Sequence, residues 1–161
     1  MLKITSNLTE VTSSLVGRLK SINDDGSPTR DLMLRTIALD TVANMKQRIH
    51  VDGKNSADQP IGEYTNAYLK KRKENNRGTN KKVIFSLTRQ MENDFSIVGG
   101  NGATGYGLGF KNTDNANKAE WLQRNTRYKS GGFGDVYKPT QFEVEHMRVV
   151  AEQFITDLLN K

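Results

Sequence analysis

The chain of 161 residues contains no cysteine, only three prolines and one tryptophan. Without cysteine the protein forms no disulfide bond and holds neither a thiolate-bound iron–sulfur cluster nor a cysteine-ligated zinc ion. No apolar run reaches the roughly 18 residues of a membrane span, so we expect no membrane segment and no secretory signal. Hydrophobic residues make up 35% of the chain, and we expect a single soluble domain over residues 1–161.

Positive charge is concentrated in one segment of this chain. The net charge is +6, but eight basic residues and one acid, Glu74, lie between Lys70 and Arg89, so the rest of the chain is close to neutral. Such a segment can face phosphates, an acidic protein surface or only water. We expect residues 72–82 to be exposed and mobile. The candidate residues for contact with DNA or an acidic partner are Lys70, Lys71, Arg72, Lys73, Arg77, Lys81 and Lys82.

Apolar residues at helical spacing predict two helices in the N-terminal part, residues 1–50. The first runs over 8–22 and begins at a capping box formed by Asn7 and Glu10; the second runs over 28–50. The predicted buried stripe of the second helix consists of Leu34, Ile37, Ala38, Thr41, Met45 and Ile49. The side chains left for water or partners are Arg30, Asp40, Lys46 and Arg48.

Residues 51–82 read as a polar and basic loop region with a short helix near Tyr68. In the third part, residues 83–161, the segments 94–98 and 106–110 alternate apolar and small or polar residues, which predicts an antiparallel hairpin across a glycine-rich turn. A polar turn at 112–117 and an apolar patch with Trp121 follow, and we expect this tryptophan in the core.

The C-terminal helix has the clearest signal. After a glycine-rich loop at 129–136, Thr140 and Glu143 form a capping box behind Pro139. We expect the carboxylates of this helix on its solvated face: Glu143, Glu145, Glu152 and Asp157. The order of elements predicts an α+β fold, with two N-terminal helices and a C-terminal helix packed on a small antiparallel sheet.

Reactive constellations are scarce in the sequence. Residues 100–105 match G-x-G-x-x-G, but a strand follows where a dinucleotide site needs a helix, so we interpret them as a hairpin turn. His50 and His146 belong to no metal-ligand or nucleophile pattern. We therefore predict no catalytic residue, no metal and no cofactor, and keep a phosphate-handling enzyme as the third hypothesis.

Several aromatic residues lie near the glycine-rich loops. They can be core residues, platforms for base stacking or anchors at an interface. Phe133 has glycines on both sides and little local support, which favours burial against a partner. The predicted subunit-interface residues are Tyr106, Phe110, Phe133 and Tyr137.

The order of these segments resembles the neck and tail-completion proteins of long-tailed phages, also called virion morphogenesis or tail-to-head joining proteins. Within residues 85–95, Thr88, Met91 and Phe95 match the threonine, leucine and final apolar positions of a family segment. Arg89 and Glu92 stand where the family has glycine and arginine. Residues 106–110, 118–122 and 136–140 resemble the second hairpin strand, the aromatic segment and the entry to the last helix.

The resemblance implies a non-enzymatic virion protein, assembled in the host cytoplasm, that forms a hexameric or higher ring at the head–tail junction. Its partners would be copies of itself, portal or head-completion proteins and tail proteins. The basic segment would then meet an acidic neighbour or line a DNA passage without reading sequence. The alternative is a small basic nucleic-acid-binding protein, with Tyr64, Tyr68 or Phe85 as stacking groups.

Overall fold

A computed structural model of the protein describes residues 8–86, 88–124 and 136–160. In these residues the helices are α1 (Leu8–Asn23), α2 (Pro28–Lys46), a π-helical turn (Gln47–Val51), α3 (Asn66–Glu74), α4 (Gln90–Asp94), α5 (Thr113–Arg124) and α6 (Gln141–Leu159). The strands β1 (Phe95–Asn101) and β2 (Gly105–Phe110) form a two-stranded antiparallel sheet between α4 and α5. The predicted α+β class is confirmed.

The second predicted helix is α2 together with the π-helical turn. The Ser27 hydroxyl caps α2 by accepting a hydrogen bond from the Thr29 amide at 3.2 Å, and Pro28 occupies the first turn. Four of the six residues of the predicted stripe are buried, namely Ala38, Thr41, Met45 and Ile49, and Leu34 and Ile37 are half-buried. For the first helix, α1 confirms the predicted span, whereas the capping residue Asn7 lies outside the described residues.

One hydrophobic cluster draws on all three parts of the chain. Its buried members are Val42, Met45, Ile49, Ile61, Tyr64, Val83, Phe85, Phe95 and Val136. The loop after the π-helical turn reaches this cluster at Gly53, whose φ is +62° and where a Cβ atom would lie 2.5 Å from the Val83 carbonyl oxygen. Only glycine allows that close crossing.

The predicted hairpin is confirmed, with Phe95 opposite Phe110 and an irregular register between Ile97 and Gly100. Gly100 has a φ of +102°, and a Cβ there would lie 2.1 Å from the Gly105 carbonyl oxygen. The glycine cluster is therefore the turn of a hairpin and is followed by β2, as the sequence interpretation has it.

The turn predicted at 112–117 is wrong, because α5 begins at Thr113. Asp94 holds this start: its Oδ2 accepts hydrogen bonds of 3.0 Å from both the Asn112 amide and the Asn115 side chain. Ala119 is buried one turn later. A contact between distant segments thus makes a helix from a sequence that reads locally as a turn.

The C-terminal helix α6 confirms its predicted start. The Thr140 hydroxyl accepts from the Glu143 amide at 3.0 Å, and the Glu143 carboxylate accepts from the Thr140 amide at 2.7 Å. At the other end, Arg18 of α1 donates to the carbonyls of Leu158 and Leu159. The helix packs on α1 and α2 through half-buried apolar residues.

Two charged residues predicted at the surface are buried instead. Arg48 donates from Nε to Glu143 Oε1 at 2.9 Å, and the exposures of these two residues are 6% and 3%. The remaining Arg48 donors reach the carbonyls of Lys54, Val136 and Lys138 at 2.9–3.1 Å. We call these contacts the Arg48 cluster. A guanidinium is buried here because a carboxylate and three carbonyls satisfy it.

Candidate interaction surfaces

The basic segment lies on α3 and the loop that follows it. Thr65 caps α3 by accepting from the Tyr68 amide at 3.3 Å. Five of the seven predicted contact residues are exposed and Arg77 is half-buried; the exposed ones are Lys70, Lys71, Lys73, Lys81 and Lys82. The structure therefore places most of the predicted basic surface at the boundary with solvent.

Arg72 is the exception, and the expected exposure is wrong for this residue. Only 2% of Arg72 is exposed. Its guanidinium lies 4.5 Å from the centre of the Tyr64 ring and donates to the Ser86 carbonyl at 2.8 Å and to the Arg77 carbonyl at 3.2 Å. No carboxylate of the described residues pairs with it. Arg72 thus fixes the base of the basic segment through a cation–π contact and backbone carbonyls.

An aromatic groove of about 400 Å³ adjoins α3. Its walls come from α3 and the chain on either side of it, and from α4 and α5. The described residues that line it are Tyr64, Tyr68, Phe85, Thr88, Arg89, Gln90, Met91, Lys118, Trp121 and Leu122. Trp121 is 62% exposed, so its predicted place in the core is wrong. We call this feature the Trp121 groove.

Backbone strain is present on one side of the Trp121 groove. Phe85 and Arg89 have φ angles of +44° and +60°, in the left-handed region that side chains other than glycine seldom adopt. Arg89 is the residue immediately before α4. Such strain costs on the order of 1–3 kcal/mol at each residue and is concentrated at functional sites in proteins.

The predicted stacking residues differ in accessibility. Tyr64 and Phe85 belong to the buried cluster, whereas Tyr68 is half-buried, with its ring 4.9 Å from that of Tyr64. Trp121, which was not predicted as a surface group, is the most accessible aromatic side chain in the groove. The exposed tryptophan beside Lys118, one helical turn away, is therefore the feature that sequence reasoning missed.

The predicted interface aromatics make contacts within the chain. Tyr106 donates its hydroxyl proton to Asp31 at 2.6 Å, and this hydrogen bond raises the pKa of the tyrosine. Phe110 and Tyr137 are half-buried and pack edge to face with ring centres 5.0 Å apart. Burial raises the pKa of Tyr137. Phe133 lies outside the described residues. The role of all four residues at a subunit interface remains a prediction.

The two histidines have different surroundings. His50 is buried, its Nδ1 lies 3.0 Å from the Ile84 carbonyl oxygen, and burial lowers its pKa. His146 is partly exposed on α6, with Nε2 3.1 Å from Asp40 of α2. These contacts tie segments of the chain together.

A cavity of about 530 Å³ lies against the Arg48 cluster. It is bordered by the π-helical turn, the loop after it and the first turn of α6. Both Arg48 and Glu143 face their partners within the chain, so the buried ion pair at this cavity is already satisfied. The described residues contain no cluster of side chains that could hold a metal ion, and no described helix is long and apolar enough to cross a membrane.

Large apolar side chains are exposed on three neighbouring helices. On α1 these are Leu15, Val16 and Leu19; on α2, Leu32 and Leu39; and on α6, Phe142, Val144 and Val149. Phe142 is 77% exposed. We call these residues the apolar helix surface.

Comparisons of the chain with protein families, with curated proteins and with solved structures found no match.

Proposed function

We propose that the protein is a non-enzymatic structural subunit of an oligomeric ring at the head–tail junction of a tailed phage. The observation that carries this proposal is the apolar helix surface together with exposed Trp121. These side chains lie on three helices that pack on one another, and large apolar side chains gathered on one part of a surface favour contact with another protein. A subunit that touches neighbours on several sides needs apolar surface on several elements.

The order of elements supports the head–tail junction as the place of assembly. Two N-terminal helices, a basic helix, a hairpin, a helix with an exposed aromatic residue and a proline-led last helix follow one another. This order is the one on which the resemblance to neck and tail-completion proteins depends. The proposed location is accordingly the virion, and the proposed partners are copies of the chain, portal or head-completion proteins and tail proteins.

The basic segment has two uses in this proposal. It can pair with an acidic neighbouring subunit, or it can line a passage through which DNA slides. Lysine side chains suit the second use because they meet phosphates as flexible point charges and read no sequence.

The mass of the purified protein tests the proposal. We expect light scattering over a range of protein concentrations to show assembly toward a ring of six or more copies. Assembly through apolar contacts should persist at high salt, because the hydrophobic effect is not screened. A mass of one chain at every concentration and salt would contradict a self-assembling subunit.

A second candidate function is nucleic-acid binding, and the exposure of five lysines on and after α3 favours it. Replacing Lys70, Lys71 and Lys73 by alanine should then abolish retention on DNA and lower the salt slope by about one for each phosphate that is no longer neutralised. Arg72 stays unchanged in this variant because it is buried. Replacing the exposed Lys20, Lys111 and Lys138 by alanine is the matched control, and equal losses in both variants would indicate an effect of net charge alone.

A further inference from the structure

Phe142 and Trp121 are the most exposed large apolar side chains of the described residues. They belong to different surfaces, because α6 packs on α1 and α2 whereas no residue of α6 is among those that line the Trp121 groove. Each is an aromatic side chain of the kind that dominates binding energy at protein interfaces. One copy of the chain therefore carries both a projecting aromatic residue and an aromatic groove.

The Trp121 groove is apolar at its walls and positive in charge. Met91, Leu122 and Tyr68 supply apolar surface, and the ionic side chains among its described lining residues are Arg89 and Lys118. Glu92 is half-buried and lies 3.9 Å from the exposed Arg89, a separation at which it offsets the positive charge of Arg89 only in part. The exposed lysines of α3 continue the positive charge beyond Tyr68. The groove thus favours an apolar side chain with negative charge beside it.

The outer face of α6 has this chemistry. Phe142, Glu145, Val149 and Glu152 follow one another at spacings of three or four and are all exposed, so they share one face of the helix. Arg148 lies 3.9 Å from Glu145 and 3.3 Å from Glu152, and one cation beside two carboxylates leaves the face negative. The face therefore combines an exposed phenyl ring with net negative charge.

We propose that Phe142 of one copy inserts into the Trp121 groove of the next copy, with Glu145 and Glu152 facing Arg89 and Lys118. This inference rests on the proposed function and names the contact between subunits. Each copy uses two unlike surfaces, so the contact is head to tail and repeats until a ring closes. A nucleic acid would satisfy the positive charge, whereas the α6 face supplies negative charge together with a phenyl ring and Val149 for the apolar walls.

Two variants that each remove one side of the contact test this proposal. Phe142→Ala keeps the groove, and the double variant Arg89→Glu with Lys118→Glu keeps the α6 face. We expect either variant alone to have the mass of one chain under conditions where the unchanged protein assembles. A 1:1 mixture should form a heterodimer and stop there, because one intact contact remains for each pair of chains.

The controls separate this contact from a loss of folding or a change of charge. Val51→Ala removes an exposed apolar side chain outside both surfaces, and Lys111→Glu with Lys138→Glu reverses two exposed lysines that do not line the groove. Both controls should assemble like the unchanged protein. Urea unfolding should show the same stability for all variants, since the changed side chains are exposed.

The fluorescence of Trp121 supplies a second measurement, because it is the only tryptophan of the chain. Its emission should shift to the blue when the unchanged protein assembles and when the two variants are mixed, but not in either variant alone. If either variant keeps the full assembled mass, the proposed contact between Phe142 and the Trp121 groove is wrong. The proposal of a ring subunit is then unaffected. A protein that never assembles overturns both proposals. Quenching of Trp121 by a single-stranded oligonucleotide without assembly would assign the groove to nucleic acid instead.

Discussion

The Arg48 cluster and the apolar helix surface differ in whether their side chains have partners within the chain. In the Arg48 cluster a buried cation meets a carboxylate and three carbonyls, all within the chain. On the apolar helix surface, large side chains of α1, α2 and α6 remain exposed. The first region stabilises the fold through contacts within the chain, whereas the second consists of large apolar side chains that the described residues leave exposed. Changes in the first should therefore affect stability, and changes in the second should affect assembly.

The largest effect is expected from Arg48→Ala, which leaves the Glu143 carboxylate buried without its cation. Removing one partner of a buried pair costs about 3–5 kcal/mol. We expect urea unfolding to show a loss of that size. Lys54→Ala is the control, since its ion pair with Asp58 is exposed and contributes about 0–1 kcal/mol. Equal losses in the two variants would contradict the structural role of the Arg48 cluster.

Arg72→Ala should lower the free energy of unfolding by about 2–3 kcal/mol, because it removes a desolvated cation–π contact and leaves the Ser86 carbonyl without this donor. Lys71→Ala, at the neighbouring exposed position, should change it by no more than about 0.5 kcal/mol. Thermal unfolding of the two variants side by side measures the difference. A similar small change in both would mean that Arg72 behaves as a surface residue.

Stability should decrease as the pH falls below about 6.5. Burial lowers the pKa of His50 in the folded protein, so the unfolded chain binds a proton first as the pH falls through the ordinary histidine value. The loss is at most about 1.4 kcal/mol for each pH unit. The measurement is the free energy of unfolding at pH 7.5 and at pH 5.5. His50→Gln should lose the decrease between these two pH values, and the control His146→Gln should retain it.

The smallest effect on stability is expected on the apolar helix surface. Leu32→Ser and Leu39→Ser alter exposed side chains of α2 and should change the free energy of unfolding by no more than about 0.5 kcal/mol. If this surface meets a neighbouring protein, the same variants should weaken assembly or partner capture. A large loss of stability with unchanged assembly would contradict the assignment of this surface to assembly and would give it the structural role of the Arg48 cluster.

The elements with strong local signals were predicted from sequence. The capping box of Thr140 and Glu143 predicts α6 together with the apolar stripe behind it, and the alternating residues around a glycine cluster predict the hairpin. The stripe consists of Met147, Val150, Ala151, Phe154 and Leu158. α5 was missed because its first turn is rich in asparagine and aspartate, which favour turns, and because its stabilising partner Asp94 is distant in sequence.

The sequence contains a signal for the burial of Arg48 and Glu143. The expectation that charged side chains are solvated does not take this signal into account. Arg48 follows Met45 by three residues, and Glu143 precedes Met147 by four, so each charge lies on the apolar stripe of its helix. Two opposite charges on two apolar stripes predict a buried pair. Phe142 has the reverse signal, since it lies off the stripe of α6 and is therefore an exposed aromatic residue.

The long reach of the Arg48 cluster affects how the protein folds during synthesis. The partners of Arg48 at Val136, Lys138 and Glu143 are 88, 90 and 95 residues further along the chain. Until these residues leave the ribosome, the guanidinium lacks the Glu143 carboxylate and two of its three carbonyl partners. Contacts of such separation also slow folding, because a long loop must close before they form. The core around the π-helical turn is therefore completed only after the start of α6 has been synthesised.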